Sequence, residues 1–262
     1  MRRNRKPDPS DISCPARYGA LVAGYSDDEM TPLILDSPDT SLTDFLSSGY
    51  RVLVRRGQVS GGGLERLIQE MYGAMPLEDV EIRELHRRSC LSLEAFVSAY
   101  GAHTDGVLEH RVPEYVGLEF VRADKSDYGQ SLFWPTETII ARLTDLDQRR
   151  LRSTPVIYQN PRIQPIPGRR PVTVIHSEET PPSIIWRWDD LCRPFPLRKD
   201  KSFHYAANRL RTTIQEMPPS RISCREGDVV LFKNLTVLHG RSALSSSKTE
   251  RHVRRAWIFA SH

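Results

Sequence analysis

Between Tyr115 and Ala260 the chain is cut into short β-branched and aromatic runs separated by proline, glycine and polar turns, a rhythm that suits antiparallel sheets. Tyr115 to Val121, Ser131 to Trp134, Pro155 to Tyr158, Pro171 to His176, Ile184 to Trp188, Val229 to Phe232 and His252 to Ala260 each read as a strand. Arg225 to Asp228 makes a turn before Val229, and Asn234 to Gly240 leads to a further strand or bend. Ahead of this region, Thr43 to Ser48 reads as a short helix stopped by Gly49, and Tyr50 to Arg55 as a strand with Val52 and Val54 on one face. Behind Ser60, the residues Leu64, Leu67, Ile68 and Met71 recur at i, i+3, i+4 and i+7, which predicts an amphipathic helix ending near Gly73.

Thr136 is placed to cap a helix carrying Ile139, Ile140 and Leu143, and Asp145 to Leu151 continues as a second helical segment. Ser202 to Glu216 sets Phe203, Ala206, Ala207, Leu210 and Ile214 on one helical face. Met75 to Ser98 is dense in charge and lacks a clean period, so it reads as a loop or lid with short helical pieces. Many short strands with a few packed helices predict a mainly β, α+β fold: a jelly-roll (double-stranded β-helix) core with flanking helices.

A chain of 262 residues suits one domain of this kind, expected over 14–262 and preceded by a flexible basic arm, 1–13, that holds Arg2, Arg3, Arg5 and Lys6. The arm is the one feature pointing towards nucleic acid, and no aromatic-rich basic groove accompanies it, so a nucleic-acid partner is not expected. Apolar runs fall far short of the ~20 residues a membrane span needs, and none follows the N-terminal charges. Cys14, Cys90, Cys192 and Cys224 form no C-x-x-C pair, which speaks against a zinc ribbon and for free thiols in a reducing compartment. The expectation is a soluble cytoplasmic protein.

The chemistry-bearing feature is His103-Thr104-Asp105-Gly106. On an extended strand, residues i and i+2 face the same way, so an imidazole and a carboxylate can converge on one ion. With 8 histidines and 33 acidic residues, chance alone supplies about one His-x-acid pair, and a second exists at His176-Ser177-Glu178. Company separates them. His103 is followed by a clean strand and, 136 residues on, by His239 after the Glu226-Gly227-Asp228 turn, leaving room for several strands between ligands. His176 is left with a structural or surface role.

These segments together resemble the taurine dioxygenase and clavaminate synthase-like family of Fe(II)/2-oxoglutarate-dependent oxygenases, from about Leu42 to Ile258. The resemblance rests on His103-Thr-Asp-Gly106 with Pro113-Glu-Tyr-Val-Gly-Leu118, on Gly227-Asp-Val-Val-Leu-Phe-Lys-Asn234, on His239-Gly-Arg241, and on Arg251-His-Val-Arg-Arg-Ala-Trp257. The stretch from Tyr158 to Asp200 matches loosely. Membership implies iron on His103, Asp105 and His239, a face of two histidines and one carboxylate that leaves positions open for 2-oxoglutarate and O2. With one aspartate and the 2-oxoglutarate dianion, the ferrous site carries a net negative charge, so a buried cation is wanted. In the family an arginine of the last strand holds the distal carboxylate, here Arg255 in the pattern Arg251-x-x-x-Arg255-x-Trp257, whose planar fork suits a carboxylate. Arg254 would point the other way, into solvent. The family's hydroxyl contact to the same carboxylate falls on Ser131, where glycines and a threonine are more usual than Gln130 and Ser131.

The implied activity is hydroxylation of a C–H bond of a small molecule, coupled to conversion of 2-oxoglutarate to succinate and CO2, as in specialised metabolism. The same site could serve desaturation, cyclisation or epimerisation, while Asp105 fills the position a halide would need. Asp189 and Asp190 lie about 50 residues before His239, a region that in amino-acid hydroxylases of this branch contacts a basic side chain, so a cationic amino acid or amino sugar is one expected substrate type. A non-catalytic binding module is the opposing reading, and the complete triad with Arg255 argues against it.

Overall fold

Side-chain alternation along the strands decides which residues enter the space between two sheets and which face the helices outside. The computed structural model describes residues 34–36, 41–57, 62–86, 97–124, 127–159, 170–176, 181–189 and 192–261, all within the unit Thr31–His262. In chain order the first elements are β1 (Ile34–Asp36), α1 (Leu42–Ser47), β2 (Val52–Arg55), α2 (Gly63–Ala74), β3 (Leu77–Leu85), β4 (Tyr100–His103), β5 (Tyr115–Arg122) and β6 (Ser131–Pro135). Next come α3 (Thr136–Ala141), α4 (Asp145–Ser153), β7 (Val156–Gln159), β8 (Ile175–His176), β9 (Ser183–Ile184) and β10 (Arg193–Pro196). The last are α5 (Lys201–Glu216), β11 (Ser220–Ile222), β12 (Val229–Lys233), β13 (Val237–Arg241) and β14 (His252–Ala260).

A six-stranded sheet runs β1-β2-β12-β5-β14-β3, and a four-stranded sheet runs β11-β6-β13-β4. Val52, Val54, Phe120, Val230, Phe232, Val253 and Trp257 of the larger sheet share one core with Phe133 and Val237 of the smaller. The alternate residues Leu53, Val229, Leu231, Ala256 and Ile258 bury the apolar stripe of α2, Leu64, Leu67, Ile68 and Met71, together with Phe45 of α1. Outside the smaller sheet, Trp134 and Leu238 pack with residues of α3, α4 and α5. Asp200 caps α5 by accepting the Phe203 N–H at 3.1 Å, and Thr144 caps α4. The expected jelly-roll core with flanking helices is what the chain forms. Among the described residues no helix is long and apolar enough to cross a membrane.

Several local expectations change. The first part of the charged segment after Met75 is not loop: Leu77 to Leu85 forms β3, antiparallel to β14 at the sheet edge, while residues 87–96 lie outside the described residues. An edge strand carrying Glu78, Asp79, Glu81, Arg83 and Glu84 keeps water on both faces and guards the edge, so it shows no apolar alternation. Thr136 is the first residue of α3 and not its cap; its hydroxyl donates to Pro182 O at 2.7 Å and Thr236 O at 3.0 Å. Of Ile184 to Trp188 only Ile184 is in a strand, because the segment leaves β9 to pass beside Thr104. Arg254 does face away from Arg255, but not into solvent. Its guanidinium meets Glu65, Glu84 at 3.3 Å and the buried Glu119 at 2.8 Å. The other oxygen of Glu119 accepts the Gly62 and Gly63 N–H groups at 3.1 and 2.9 Å, so the pair fastens the start of α2 to the sheet. The basic arm, Cys14, Cys90, Ser60 and Asp190 lie outside the described residues.

Candidate metal centre

The three expected ligands meet at one end of the smaller sheet. His103 ends β4 and is the cross-strand partner of His239 in β13, so pairing alone sets the two imidazoles side by side, with ring centroids 4.1 Å apart. Asp105 lies past the strand end, in a turn, so its convergence with His103 does not come from an extended i, i+2 spacing. The turn depends on Gly106 at φ +78°, where a Cβ would also come within 2.5 Å of the Pro113 ring. Gly240 is equally constrained: a Cβ there would stand 2.5 Å from the Tyr100 carbonyl oxygen, so β13 approaches β4 this closely only with glycine after His239.

All three side chains are buried, and one donor atom from each lies within 4.8 Å of the others. His103 Nε2 stands 3.5 Å from Asp105 Oδ1, and His239 Nε2 stands 3.8 Å from Asp105 Oδ2. His103 Nδ1 is 2.9 Å from Gly101 O. A carbonyl only accepts, so Nδ1 carries a proton and Nε2 is the nitrogen turned towards Asp105. Burial drives the His239 imidazolium form out, with His103 adding to the effect, and leaves that ring a neutral donor. Burial acts against ionisation of Asp105, but Arg255, His103 and His239 outweigh it and hold the carboxyl well below the usual range.

Arg255 and Trp257 supply the surroundings of that carboxylate. Both lie on the inner face of β14. Arg255 Nη1 donates to Oδ1 and Oδ2 of Asp105 at 3.0 and 3.1 Å, and Trp257 Nε1 donates to Oδ2 at 3.0 Å. Arg255 Nε is buried and has no hydrogen-bond partner among the described residues. Arg251 precedes β14 with its guanidinium 5.5 Å from the Phe120 ring, and Ser131 is buried on β6 with its hydroxyl 4.0 Å from Cys224 Sγ. Asp189 is in an ion pair, accepting from Arg187 Nε at 2.7 Å. His176 is exposed, its Nδ1 3.3 Å from Thr173 Oγ1.

Four residues at this centre were not singled out by sequence reasoning. Asn234, fully buried, accepts the Asp105 N–H at 2.9 Å and donates to the carbonyls of Asp105 at 3.2 Å and Pro113 at 2.8 Å. Thr104 ties the segment 184–186 to the site: its hydroxyl donates to Ile184 O at 2.8 Å and accepts the Trp186 N–H at 3.1 Å. Tyr100 meets the His103 ring edge-on at 4.5 Å, and burial pushes its hydroxyl pKa up to about 12. Arg187 lies over Tyr100. Asn234 closes one of the motifs that carry the resemblance and Thr104 sits inside another, which was their available signal; Tyr100 and Arg187 fall in none.

The donor set suits iron: two imidazoles and a carboxylate occupy one side of a buried space, as metals with open positions require. Among solved structures, PvcB of Pseudomonas aeruginosa, described as an Fe, alpha-ketoglutarate dependent oxygenase from an isonitrile synthetic pathway, superposes with a TM-score of 0.61 at 18% identity, over 92% of this chain and 98% of that one. Asparagine oxygenase in complex with Fe(II), 2S,3S-3-hydroxyasparagine and succinate gives 0.58 at 15% identity, over 82% and 76%. The non-heme iron oxygenase OrfP with Fe, succinate and (3S)-hydroxy-L-Arg gives 0.60 at 15%, over 84% and 78%. At such identities the likeness establishes the fold. No curated protein matches the chain in sequence. The family model for taurine catabolism dioxygenase TauD, TfdA family matches residues 48–257, most of the chain and all three triad residues. The chain belongs to this dioxygenase family and is an Fe(II)- and 2-oxoglutarate-dependent oxygenase.

Proposed function

We propose that His103, Asp105 and His239 hold the Fe(II), that Arg255 with Ser131 and Arg251 holds 2-oxoglutarate, and that the enzyme hydroxylates a C–H bond of an amino-acid-like small molecule. The observation that carries this reading is the convergence of three buried donor groups, with a half-buried arginine already on the carboxylate. Iron with 2-oxoglutarate and O2 supplies the oxidising chemistry, with release of succinate and CO2. The chain's own part is positioning. Gly101 fixes the His103 tautomer, Asn234 fixes the Asp105 backbone, and Arg255 and Trp257 orient the carboxylate. Arg255 Nε, buried and without a hydrogen-bond partner among the described residues, offers an incoming carboxylate a donor.

The amino-acid class is supported by the hydroxylated amino acids bound in two of the neighbours, 3-hydroxyasparagine and (3S)-hydroxy-L-Arg. A reducing cytoplasm suits Cys192 and Cys224, both buried free thiols. Anaerobic titration with Fe(II) and 2-oxoglutarate, followed by succinate detection in O2, tests the assignment. The wild type binds iron and forms succinate, and Asp105→Ala does neither; a wild type that binds no iron refutes it.

A further inference from the structure

Trp257 gives its Nε1–H to Asp105 Oδ2 at 3.0 Å, and the aim of that bond depends on the tilt of the indole. The torsion that sets this tilt is broad and roughly two-fold, so the neighbours of the ring fix it. Two guanidiniums lie over it. Arg255, two residues earlier on β14, has its guanidinium carbon 4.6 Å from the indole centroid, and Arg83 of β3 stands closer, at 4.1 Å.

Arg83 is the cross-strand partner of Arg255. Like charges directly opposite in a sheet repel, and an edge-strand arginine with 43% of its side chain exposed could escape by extending into water. It lies on the indole instead. Its Nη2 donates to Glu81 at 2.8 Å and its Nη1 is 3.5 Å from Glu109, so two carboxylates hold the guanidinium where it is. Glu109 belongs to the turn that carries Asp105, its N–H donating to Gly106 O at 2.9 Å. One arginine thus meets both the indole that bonds Asp105 and the turn that bears it. Exposed ion pairs contribute little by themselves, whereas a cation over an indole is attracted by the electron-rich face and brings positive charge to a ring that donates to an anion. We infer that Arg83 is a positioning residue for the metal centre: from the sheet edge it sets the Trp257 indole, and through Trp257 Nε1 it sets the Asp105 carboxylate for the ion. This inference rests on Asp105 being an iron ligand, as proposed above.

The test is Mn(II) binding to the full chain, followed by calorimetry, with circular dichroism to check that each metal-free variant is folded. Arg83→Gln binds Mn(II) about threefold more weakly than the wild type, or worse, and Arg83→Lys, which keeps a cation at the ring, recovers part of the loss. Glu109→Gln removes only an exposed ion pair and changes the affinity by less than about twofold. Trp257→Phe keeps a ring but loses the Nε1–H, and in that background Arg83→Gln has no further effect, because the path to Asp105 is already cut. An arginine that merely supported the fold would weaken both backgrounds alike. The inference is overturned if Arg83→Gln binds as the wild type does, if Arg83→Lys recovers nothing, if Glu109→Gln matches the loss, or if the loss persists in full beside Trp257→Phe. The single variants at Arg83 and Glu109, both on exposed side chains, decide the matter even if Trp257→Phe does not fold. Failure of the iron assignment is distinguished as a wild type that takes up neither Mn(II) nor Fe(II), and it overturns both readings.

Discussion

Asn234 grips the backbone of Asp105 from both sides, its amide oxygen taking the Asp105 N–H at 2.9 Å and its amide nitrogen donating to the Asp105 carbonyl at 3.2 Å. The side chain of an aspartate in a turn is only as well placed as its backbone. Asn234→Ala leaves buried backbone groups without partners, at about 1–3 kcal/mol each. We expect a lower denaturation midpoint and weaker Fe(II) affinity, read by urea unfolding and by anaerobic metal titration. An alanine variant with wild-type values for both would show that the clamp is dispensable.

Arg255 is the counter-charge of Asp105, 3.0 Å from its carboxylate. Removing one member of a buried pair typically costs about 3–5 kcal/mol, so Arg255→Gln destabilises the metal-free enzyme by that order. A divalent ion supplies the missing positive charge. Thermal unfolding with and without Mn(II), a redox-stable stand-in, should show the variant's deficit shrinking when metal is present. An equal deficit in both conditions would mean that Arg255 acts through packing on Trp257.

Gly240→Ala puts a methyl group against the Tyr100 carbonyl, which is backbone and cannot swing aside. Overpacking of this kind costs about 1–3 kcal/mol. The expected result is a lower melting temperature together with weakened metal binding, because β4 carries His103. Gly73→Ala, where a Cβ meets nothing within 4 Å inside α2, is the control and should leave metal binding unchanged and the melting temperature no lower.

Burial raises the Cys224 thiol to about 12 from an ordinary value of 9.0. The folded protein therefore holds this proton more tightly than the unfolded chain. The contribution to stability is complete below about pH 9 and is lost as pH rises towards 12. At pH 8 a thiol-alkylating reagent should leave Cys224 unmodified in the native enzyme and modify it after denaturation, as mass mapping would show. Rapid native alkylation would contradict the burial.

Strands that alternate apolar and polar residues, or that are apolar throughout, were legible: β5, β6, β12 and β14 fall within a residue or two of their expected limits. So were α2 and α5, whose stripes match the faces they bury. β3 was not, because an edge strand solvated on both faces has no reason to alternate. β4 was not, because Tyr100-Gly-Ala-His103 is too short to show a period. At the centre, residue type and spacing pointed to the three residues that converge, but Thr104, Tyr100 and Arg187 owe their places to contacts made across the fold. Asp189 was legible as an acid near the site, and its ion pair with Arg187 was not.

Arg254 and Arg255 are adjacent in β14, yet one fastens α2 through Glu119 and the other holds the metal carboxylate. Register irregularities at His252/Val253 and Phe259/Ala260 bracket the pair. A slip of one residue would exchange the two arginines, leaving Glu119 and Asp105 each without its proper partner. A one-residue slip of this strand would therefore undo the anchoring of α2 and the setting of Asp105 at a single stroke.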